Sequence, residues 1–151
     1  MNNTIKLTKR FNFEAAHALY GYDGQCKNVH GHSYRLYVTI IGSPITDSKN
    51  VKFGMVMDFT DLKNIVNEVI VIPIDHSTIL NINSPHKELA DIMVESGHKV
   101  HKVNYQPTCE MMIIDFAKRI SSKLPSNIIL SNLKLQETDS SFAEWGLKDQ
   151  N

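Results

Sequence analysis

The chain has 151 residues, and 16 Lys and Arg balance 16 Asp and Glu, so its formal net charge at pH 7 is zero. This length predicts one domain that can bury a hydrophobic core, and the apolar fraction of 42% argues against intrinsic disorder. A net charge of zero argues against a nucleic-acid partner. No apolar stretch approaches the roughly 20 residues that span a membrane, so no association with a membrane is expected either.

The compartment is predicted from the first residues and from the cysteines. Residues 1–6 contain no apolar signal-peptide core, so we expect a cytoplasmic protein. In the cytoplasm, two cysteines as far apart as Cys26 and Cys109 are not expected to form a structural disulfide.

Alternating apolar residues predict two strands in the first third of the chain, at residues 5–17 and at about 30–41. One face of each strand is apolar and ends on histidine: His17 in the first strand, His30 and His32 in the second. The histidines therefore continue inward-facing apolar stripes, where a shielded pocket is expected.

The chain is predicted to continue with a short strand at 54–59 and an amphipathic helix. Apolar residues over 62–70 recur at the i, i+3, i+4 spacing of a helix face. Asp58 or Thr60 is the expected cap of this helix, and Pro73 is its expected end.

A loop over 75–81 is expected next, followed by a helix that begins at Ser84 and Pro85 and stops at Gly97. A short strand is expected at 98–105. The residues of the helix expected to face inward are Leu89, Ile92 and Met93.

The last third of the chain is predicted to hold the longest helix and two strands. Pro107 and Thr108 open the helix and Pro125 closes it, and strands follow at 128–138 and 141–145. The whole pattern predicts an α+β domain, with an antiparallel sheet and two main helices packed on one side.

The three histidines at the strand ends are the strongest chemical signal in the chain. Side chains two residues apart on a strand share a face, about 7 Å apart along it. Neutral imidazoles in this arrangement can converge on one zinc ion, and three histidines with a vacant fourth position describe a catalytic zinc site. A single His on an apolar face is more often a core or surface residue. We nevertheless favour metal binding, because His17, His30 and His32 all end inward-facing stripes.

Cys26 admits three interpretations. A free cysteine is most often a small buried hydrophobe. Because Lys27 and the histidines are near it in sequence, Cys26 is also a candidate thiolate base. Alternatively, it is the fourth ligand of a closed structural zinc site. The sequence alone leaves these open.

The Asp75–His76 pair and Glu137 also have ordinary alternatives. Asp75 and His76 are a turn pair, or a carboxylate that orients an acid–base imidazole. Glu137 shares a strand face with Leu133 and Leu135, and a carboxylate on an inward face is costly without a hydrogen-bond partner. Either the strand has already reached solvent at Glu137, or the carboxylate anchors a ligand that presents two N–H donors.

Four polar residues of the second half have simpler interpretations. Thr108 is expected to be a helix cap, although a cap also exposes backbone N–H groups to a ligand. His86, His98 and His101 are expected at the surface.

Eight segments in this order resemble the 6-pyruvoyltetrahydropterin synthase / 6-carboxytetrahydropterin synthase family. They cover nearly the whole chain, and the most specific is the Cys-x3-His-Gly-His element together with the first histidine. The segments are FEAAH (13–17), CKNVHGHSY (26–34), GMVMDF (54–59), DH (75–76), LN (80–81), PTCE (107–110), ET (137–138) and SFAE (141–144).

The resemblance implies a tunnelling fold, with a four-stranded antiparallel sheet and two helices on one face. Sheets of several subunits join into a barrel, so a homo-oligomer, a trimer or a hexamer, is expected. It also implies the role of each matching residue. The metal ligands of Zn²⁺ are His17, His30 and His32, the catalytic residues are Cys26, Asp75 and His76, and the residues that bind the pterin are Glu137, Thr108 and Glu110.

The implied substrate is the small molecule 7,8-dihydroneopterin triphosphate. In the carboxy branch the side chain is cleaved, which releases acetaldehyde and triphosphate and gives 6-carboxy-5,6,7,8-tetrahydropterin for 7-deazaguanine and queuosine synthesis. In the pyruvoyl branch the carbon chain is kept. The compact Cys-x3-His-Gly-His spacing favours the carboxy branch. A non-catalytic zinc-binding domain of this fold is the alternative outside enzymes.

The chain departs from the family pattern in the middle. A single domain is expected over residues 1–151, with an insert at about 82–106 that is longer than the expected connection. Cys109 lies where a small residue is common.

Overall fold

The computed structural model describes residues 3–150, which form one six-stranded mixed sheet in the order β4-β3-β1-β2-β5-β6. β1, β2, β5 and β6 pair antiparallel, and β3 and β4 add two parallel strands beside β1. The strands are β1 (Ile5–His17), β2 (His30–Gly42), β3 (Ser77–Asn81), β4 (Val100–Val103), β5 (Ile129–Thr138) and β6 (Ser141–Gly146).

The expected sheet of four antiparallel strands is therefore too small. The missed strand β3 was predicted as a loop, because its five residues show no polar–apolar alternation. All but Asn81 are buried, as is usual for a strand covered on both faces. Alternation cannot reveal such a short buried strand. The α+β class is confirmed, with a larger sheet than expected.

Four helices accompany the sheet: α1 (Phe59–Val66), α2 (Ile72–Ile74), α3 (His86–Glu95) and α4 (Cys109–Ser121). A π-helical turn, Asn67–Val71, joins α1 to α2. The strand predicted at 54–59 is wrong: Gly54 lies in a turn with a left-handed φ of 84°, residues 55–58 are irregular and Phe59 begins α1. Asp58 is the cap of α1, and its Oδ1 accepts the Thr60 N–H at 2.8 Å.

The helix that Pro73 was predicted to end continues for one more residue, to Ile74. Pro73 has no N–H to donate to the Val69 carbonyl four residues earlier. The Arg119 guanidinium of α4 donates to that carbonyl at 3.5 Å. A side chain from another element thus contacts the backbone where the proline removes a donor.

Residues 82–106, which we predicted to be an insert, contain α3 and β4. Gly97 ends α3 as expected, with a φ of 88°. Its N–H bonds the Val94 carbonyl and the His98 N–H bonds the Met93 carbonyl, which is the Schellman pattern. Ile92 does not face inward, because 60% of it is exposed, whereas Leu89 and Met93 pack on Ala90 and Leu80.

The main core lies between α4 and the sheet. Phe13 of β1 stacks on Tyr34 of β2, with ring centroids 5.1 Å apart, and meets Phe116 of α4 edge-on at 6.1 Å. These side chains are at most 2% exposed. The core fixes β1 and β2 up to the ends where the histidines lie.

No helix within residues 3–150 has the length and apolarity needed to cross a bilayer.

His101 is not the surface residue that was expected. It lies half-buried on β4, where its Nε2 is 3.2 Å from an Arg119 amino group, and Arg119 in turn pairs with Asp115. Tyr105 donates to the same Asp115 carboxylate at 2.7 Å. Burial, followed by the Arg119 charge, lowers the pKa of His101 to about 4.

This shift predicts how the free energy of unfolding depends on pH. The folded-state pKa of His101, about 4, lies below the ordinary value of 6.5, so the unfolded chain binds the proton more readily. The contribution of neutral His101 is therefore present above pH 6.5 and is lost as the pH falls towards 4. We therefore expect His101→Gln to lose less free energy of unfolding than wild type between pH 6.5 and pH 4, as measured by urea unfolding.

The matched control is His98→Gln, because His98 is exposed and lies three residues away. It should leave the pH dependence of wild type unchanged. An equal pH dependence in wild type and His101→Gln would show that His101 does not titrate in this interval.

Candidate metal centre and adjoining cavity

The register of β1 and β2 brings the three histidines together. His17 lies directly opposite His30, and Ala15 lies opposite His32. Alternation along each strand places all three imidazoles on the face that carries the core. Their ring centroids are 4.6 to 5.1 Å apart and the rings meet edge to face.

Backbone carbonyls fix the orientation of two imidazoles. The Nδ1 of His17 donates to the Pro107 carbonyl at 2.7 Å, and the Nδ1 of His30 donates to the Asn28 carbonyl at 2.7 Å. When Nδ1 carries the proton of a neutral imidazole, Nε2 is a free lone pair. The two Nε2 atoms lie 3.0 Å apart. The backbone thus presents two ligand atoms to the same point.

His32 completes a donor set that fits a metal ion. Its Nε2 is buried and has no hydrogen-bond partner among the described residues. One ligand atom from each of His17, His30 and His32 lies within 4.8 Å of the others. Burial is the largest cause that lowers the pKa of His17 and of His32, and it favours the neutral forms that bind metal. The three residues therefore form a candidate metal site.

Glu137 lies beside the histidines and is half-buried, with 24% of its side chain exposed. Its Oε1 is 3.6 Å from the Nε2 of His17 and 3.7 Å from the Nε2 of His32. The ladder between β5 and β6 shifts register between Gln136 and Thr138, so Glu137 sits at a β-bulge. Bulges are common next to active sites, where they redirect a side chain.

Tyr34 is a site residue that the sequence analysis did not single out. Its hydroxyl donates to Glu137 Oε1 at 3.4 Å, and its ring lies 5.5 Å from that of His32. Burial, followed by the Glu137 charge, raises the pKa of Tyr34, so the phenol stays protonated as a donor. Its position two residues after His32, on the same strand face, was a signal for this role.

A small cavity of about 100 Å³ adjoins Glu137 and is also lined by Glu110, Cys109 and Phe142. The Cys109 thiol donates to the Leu135 carbonyl at 3.3 Å, and burial raises its pKa to about 12. This thiol is therefore neutral, and it forms part of the cavity wall.

Thr108 caps α4, because its hydroxyl accepts the Met111 N–H at 3.2 Å.

Cys26 lies outside the metal-binding group. It is half-exposed in a short 3₁₀ turn, Gln25–Lys27, and its carbonyl accepts the Leu19 N–H at 2.9 Å. Among residues 3–150, the only group that brings three such ligand atoms together contains the three histidines and no cysteine. This geometry argues against Cys26 as a fourth ligand.

Asp75 and His76 do form a pair, since Asp75 Oδ1 is 3.0 Å from His76 Nδ1. Glu14 of β1 fixes this turn from both sides. Its N–H donates to Asp75 Oδ1 at 2.9 Å, and its carbonyl accepts the His76 N–H at 2.6 Å. The Glu14 N–H is the largest cause that lowers the pKa of Asp75, followed among the lowering causes by His76.

The pair lies beside residues of β1 whose side chains face away from the core. His76 lines a cavity of about 370 Å³ with Glu14, Ala16 and Ser33, and Ala15 and His32 also border this cavity. On β1, Glu14 and Ala16 alternate with the core-facing residues that lead to His17. Within the described part of one chain, no hydrogen bond or ion pair joins Asp75 or His76 to Cys26.

Comparison with known proteins shows which family the chain belongs to. The model of the family described as 6-pyruvoyl tetrahydropterin synthase (PTPS) matches residues 6–147. Proteins named 6-carboxy-5,6,7,8-tetrahydropterin synthase from Haemophilus influenzae and Aquifex aeolicus are 36% and 33% identical to the chain. The two alignments each cover 93% of this chain, with 98% of the Haemophilus protein and 96% of the Aquifex protein.

Solved structures share the fold at lower identity. An uncharacterized protein from Wolinella succinogenes superposes with a TM-score of 0.76 at 19% identity, covering 96% of this chain and 99% of that one. The 6-pyruvoyl tetrahydropterin synthase of Caenorhabditis elegans gives a TM-score of 0.68 at 22% identity, covering 96% of each chain. With a family match across nearly its whole length, the chain belongs to the 6-pyruvoyl tetrahydropterin synthase family of enzymes.

Proposed function

We propose that the protein converts 7,8-dihydroneopterin triphosphate to 6-carboxy-5,6,7,8-tetrahydropterin, with release of acetaldehyde and triphosphate. One observation carries the proposal. A carboxylate, Glu137, lies 3.6 to 3.7 Å from two of three imidazoles that converge like metal ligands. A ligand held by that carboxylate would therefore extend over the metal centre.

The proposed metal is Zn²⁺, held by His17, His30 and His32. Three neutral imidazoles with an open position are the typical ligand set of a catalytic zinc site. When bound, zinc supplies Lewis-acid stabilisation of negative charge that develops on a substrate oxygen. The carbonyls of Pro107 and Asn28 keep His17 and His30 in the tautomer whose Nε2 is free to bind zinc.

Glu137 is proposed to hold the pterin ring. A carboxylate accepts two parallel N–H donors, which the amino-pyrimidinone edge of a pterin presents. Its own contacts at 3.4 Å and longer leave it free to take stronger donors. Glu110 and Thr108 are the less central members of this subsite, since the Thr108 hydroxyl is already bound as a helix cap.

Cys26 is proposed as the base that removes a carbon-bound proton from the substrate side chain. His76, oriented by Asp75, is proposed to carry protons to and from the reacting atoms. Because no hydrogen bond or ion pair within the described part of one chain joins Asp75 or His76 to Cys26, the pair would serve the site of a neighbouring copy. A trimer or hexamer with sites between subunits is part of the proposal.

The carboxy product is favoured over the pyruvoyl product. The relatives that carry the carboxy name share 32 to 36% identity over most of this chain. The compact spacing between Cys26 and His30 agrees with that branch. The proposed product is a precursor for 7-deazaguanine and queuosine synthesis in the cytoplasm.

The substrate assay tests the reaction. Zinc-loaded protein incubated with 7,8-dihydroneopterin triphosphate should give 6-carboxytetrahydropterin and acetaldehyde, identified by mass spectrometry. A pyruvoyl product would show that the carboxy branch is wrong, while the assignment of the site residues would stand. Absence of turnover with zinc fully bound would reject the synthase activity for this substrate.

The metal site is tested by metal content. His17→Ala and His32→Ala should lose most of their bound zinc, because each removes a ligand atom from a three-ligand set. His98→Ala, at an exposed histidine, should retain zinc like wild type. Equal zinc content in all four proteins, measured after dialysis by plasma mass spectrometry, would show that zinc is bound elsewhere.

Cys26→Ala separates a catalytic role from a structural role. We expect wild-type zinc content and thermal stability, and a loss of turnover of about 10³-fold, because only the base is removed. If zinc and stability were lost together, Cys26 would be a permanent ligand, as in the non-catalytic zinc-domain alternative.

A further inference from the structure

The turn that carries Asp75 and His76 is held by a lysine from the segment between α3 and β4. The Nζ of Lys99 donates to the Ile72 carbonyl and to the Asp75 carbonyl, each at 2.7 Å. The backbone carbonyl of Lys99 also accepts the Thr78 N–H at 3.0 Å. Lys99 therefore contacts the chain on both sides of His76.

Both carbonyls lie where the backbone needs donors. Ile72 begins α2, the last helical turn before Asp75, and the final carbonyls of a helix have no partners within it. A cation at that end is favourable for the helix dipole as well. One ammonium thus ties the end of the helix to the carbonyl of the residue that orients His76.

His76 has a backbone conformation that must be held in place. It is the only non-glycine residue within 3–150 with a positive φ, at 60°. Residues with a Cβ rarely adopt this left-handed region, and such conformations persist where surrounding contacts enforce them. The contacts here come from Glu14 on one side and Lys99 on the other.

The imidazole of His76 has little other support. It is 76% exposed, and its one ion-pair contact is with Asp75. Its direction therefore depends on the backbone of the turn and on the Asp75 carboxylate. A loosened turn would leave His76 chemically intact but misdirected.

We infer that Lys99 is a positioning residue for the Asp75–His76 pair: its ammonium ties the end of α2 to the Asp75 carbonyl and thereby fixes the direction of the His76 imidazole. The inference rests on the proposed function of His76 in proton transfer. It also gives residues 82–106 a role, since Lys99 belongs to that segment.

The test compares three variants of the metal-loaded protein. Lys99→Met removes the donors and keeps most of the side-chain length, and Lys99→Arg keeps charge and donors. Lys102→Met is the matched control, because Lys102 lies on β4 and its Nζ pairs with Asp91 at 3.0 Å, away from the turn. Assays are run well below the unfolding midpoint of each variant.

For Lys99→Met we expect kcat to fall about tenfold with KM within about twofold of wild type, since misdirection affects the chemical step. Hydrogen exchange of the His76 amide, which bonds Glu14, should quicken about tenfold as the turn opens more often. Lys99→Arg should recover most of both values, and Lys102→Met should match wild type.

Exchange is measured without substrate, so it separates this inference from the proposed function. Unchanged exchange at His76 in Lys99→Met overturns the inference whatever the activity. Faster exchange with unchanged kcat overturns it too. If wild type does not turn over the pterin triphosphate, the proposed function fails, and exchange alone decides whether Lys99 holds the turn.

Discussion

The antiparallel pairing of β1 with β2 is the constraint on which the rest of the site depends. It places His17 opposite His30 and brings His32 to the same face. A shift of one residue in either strand would send its histidines to the other side of the sheet. The core prevents that shift, because Phe13, Tyr34 and Phe116 pack together only in this register.

The same pairing creates a local conflict that a bound cation would resolve. The Nε2 lone pairs of His17 and His30 face each other at 3.0 Å, and the Nε2 of His32 is buried without a partner among the described residues. A buried acceptor without a donor costs about 1–3 kcal/mol. Such a cluster is unfavourable as core packing and favourable as a ligand set, which is the strongest physical reason to assign a metal to it.

Residues 82–106 connect to the two loops that carry the proposed acid–base groups. Lys99 binds the Asp75 turn, and Gln106 donates its amide to the Tyr20 carbonyl at 3.0 Å, in the loop that leads to Cys26. His86 packs edge-on against the Tyr20 ring at 5.2 Å. The segment thus acts as scaffold for both loops, and its β4 lengthens the sheet beside β3.

Strongly patterned features could be predicted from the sequence. The alternation in β1 and β2, the cap at Thr108 and the glycine stop at Gly97 are local effects, and each occurs where it was expected. Strand β3 and the half-buried position of His101 could not be predicted. Their environment comes from segments distant in sequence, namely β1, β4 and Arg119.

For the candidate site, the sequence by itself determined which side chains are candidates for metal binding or acid–base chemistry and on which strand faces the histidines lie. Only the tertiary structure decided how they combine. Register brought the imidazoles together, and a bulge turned Glu137 towards them. The turn after α2 placed His76 against Glu14 and beside Asp75. These relations depend on long-range pairing and packing, which local periodicity does not encode.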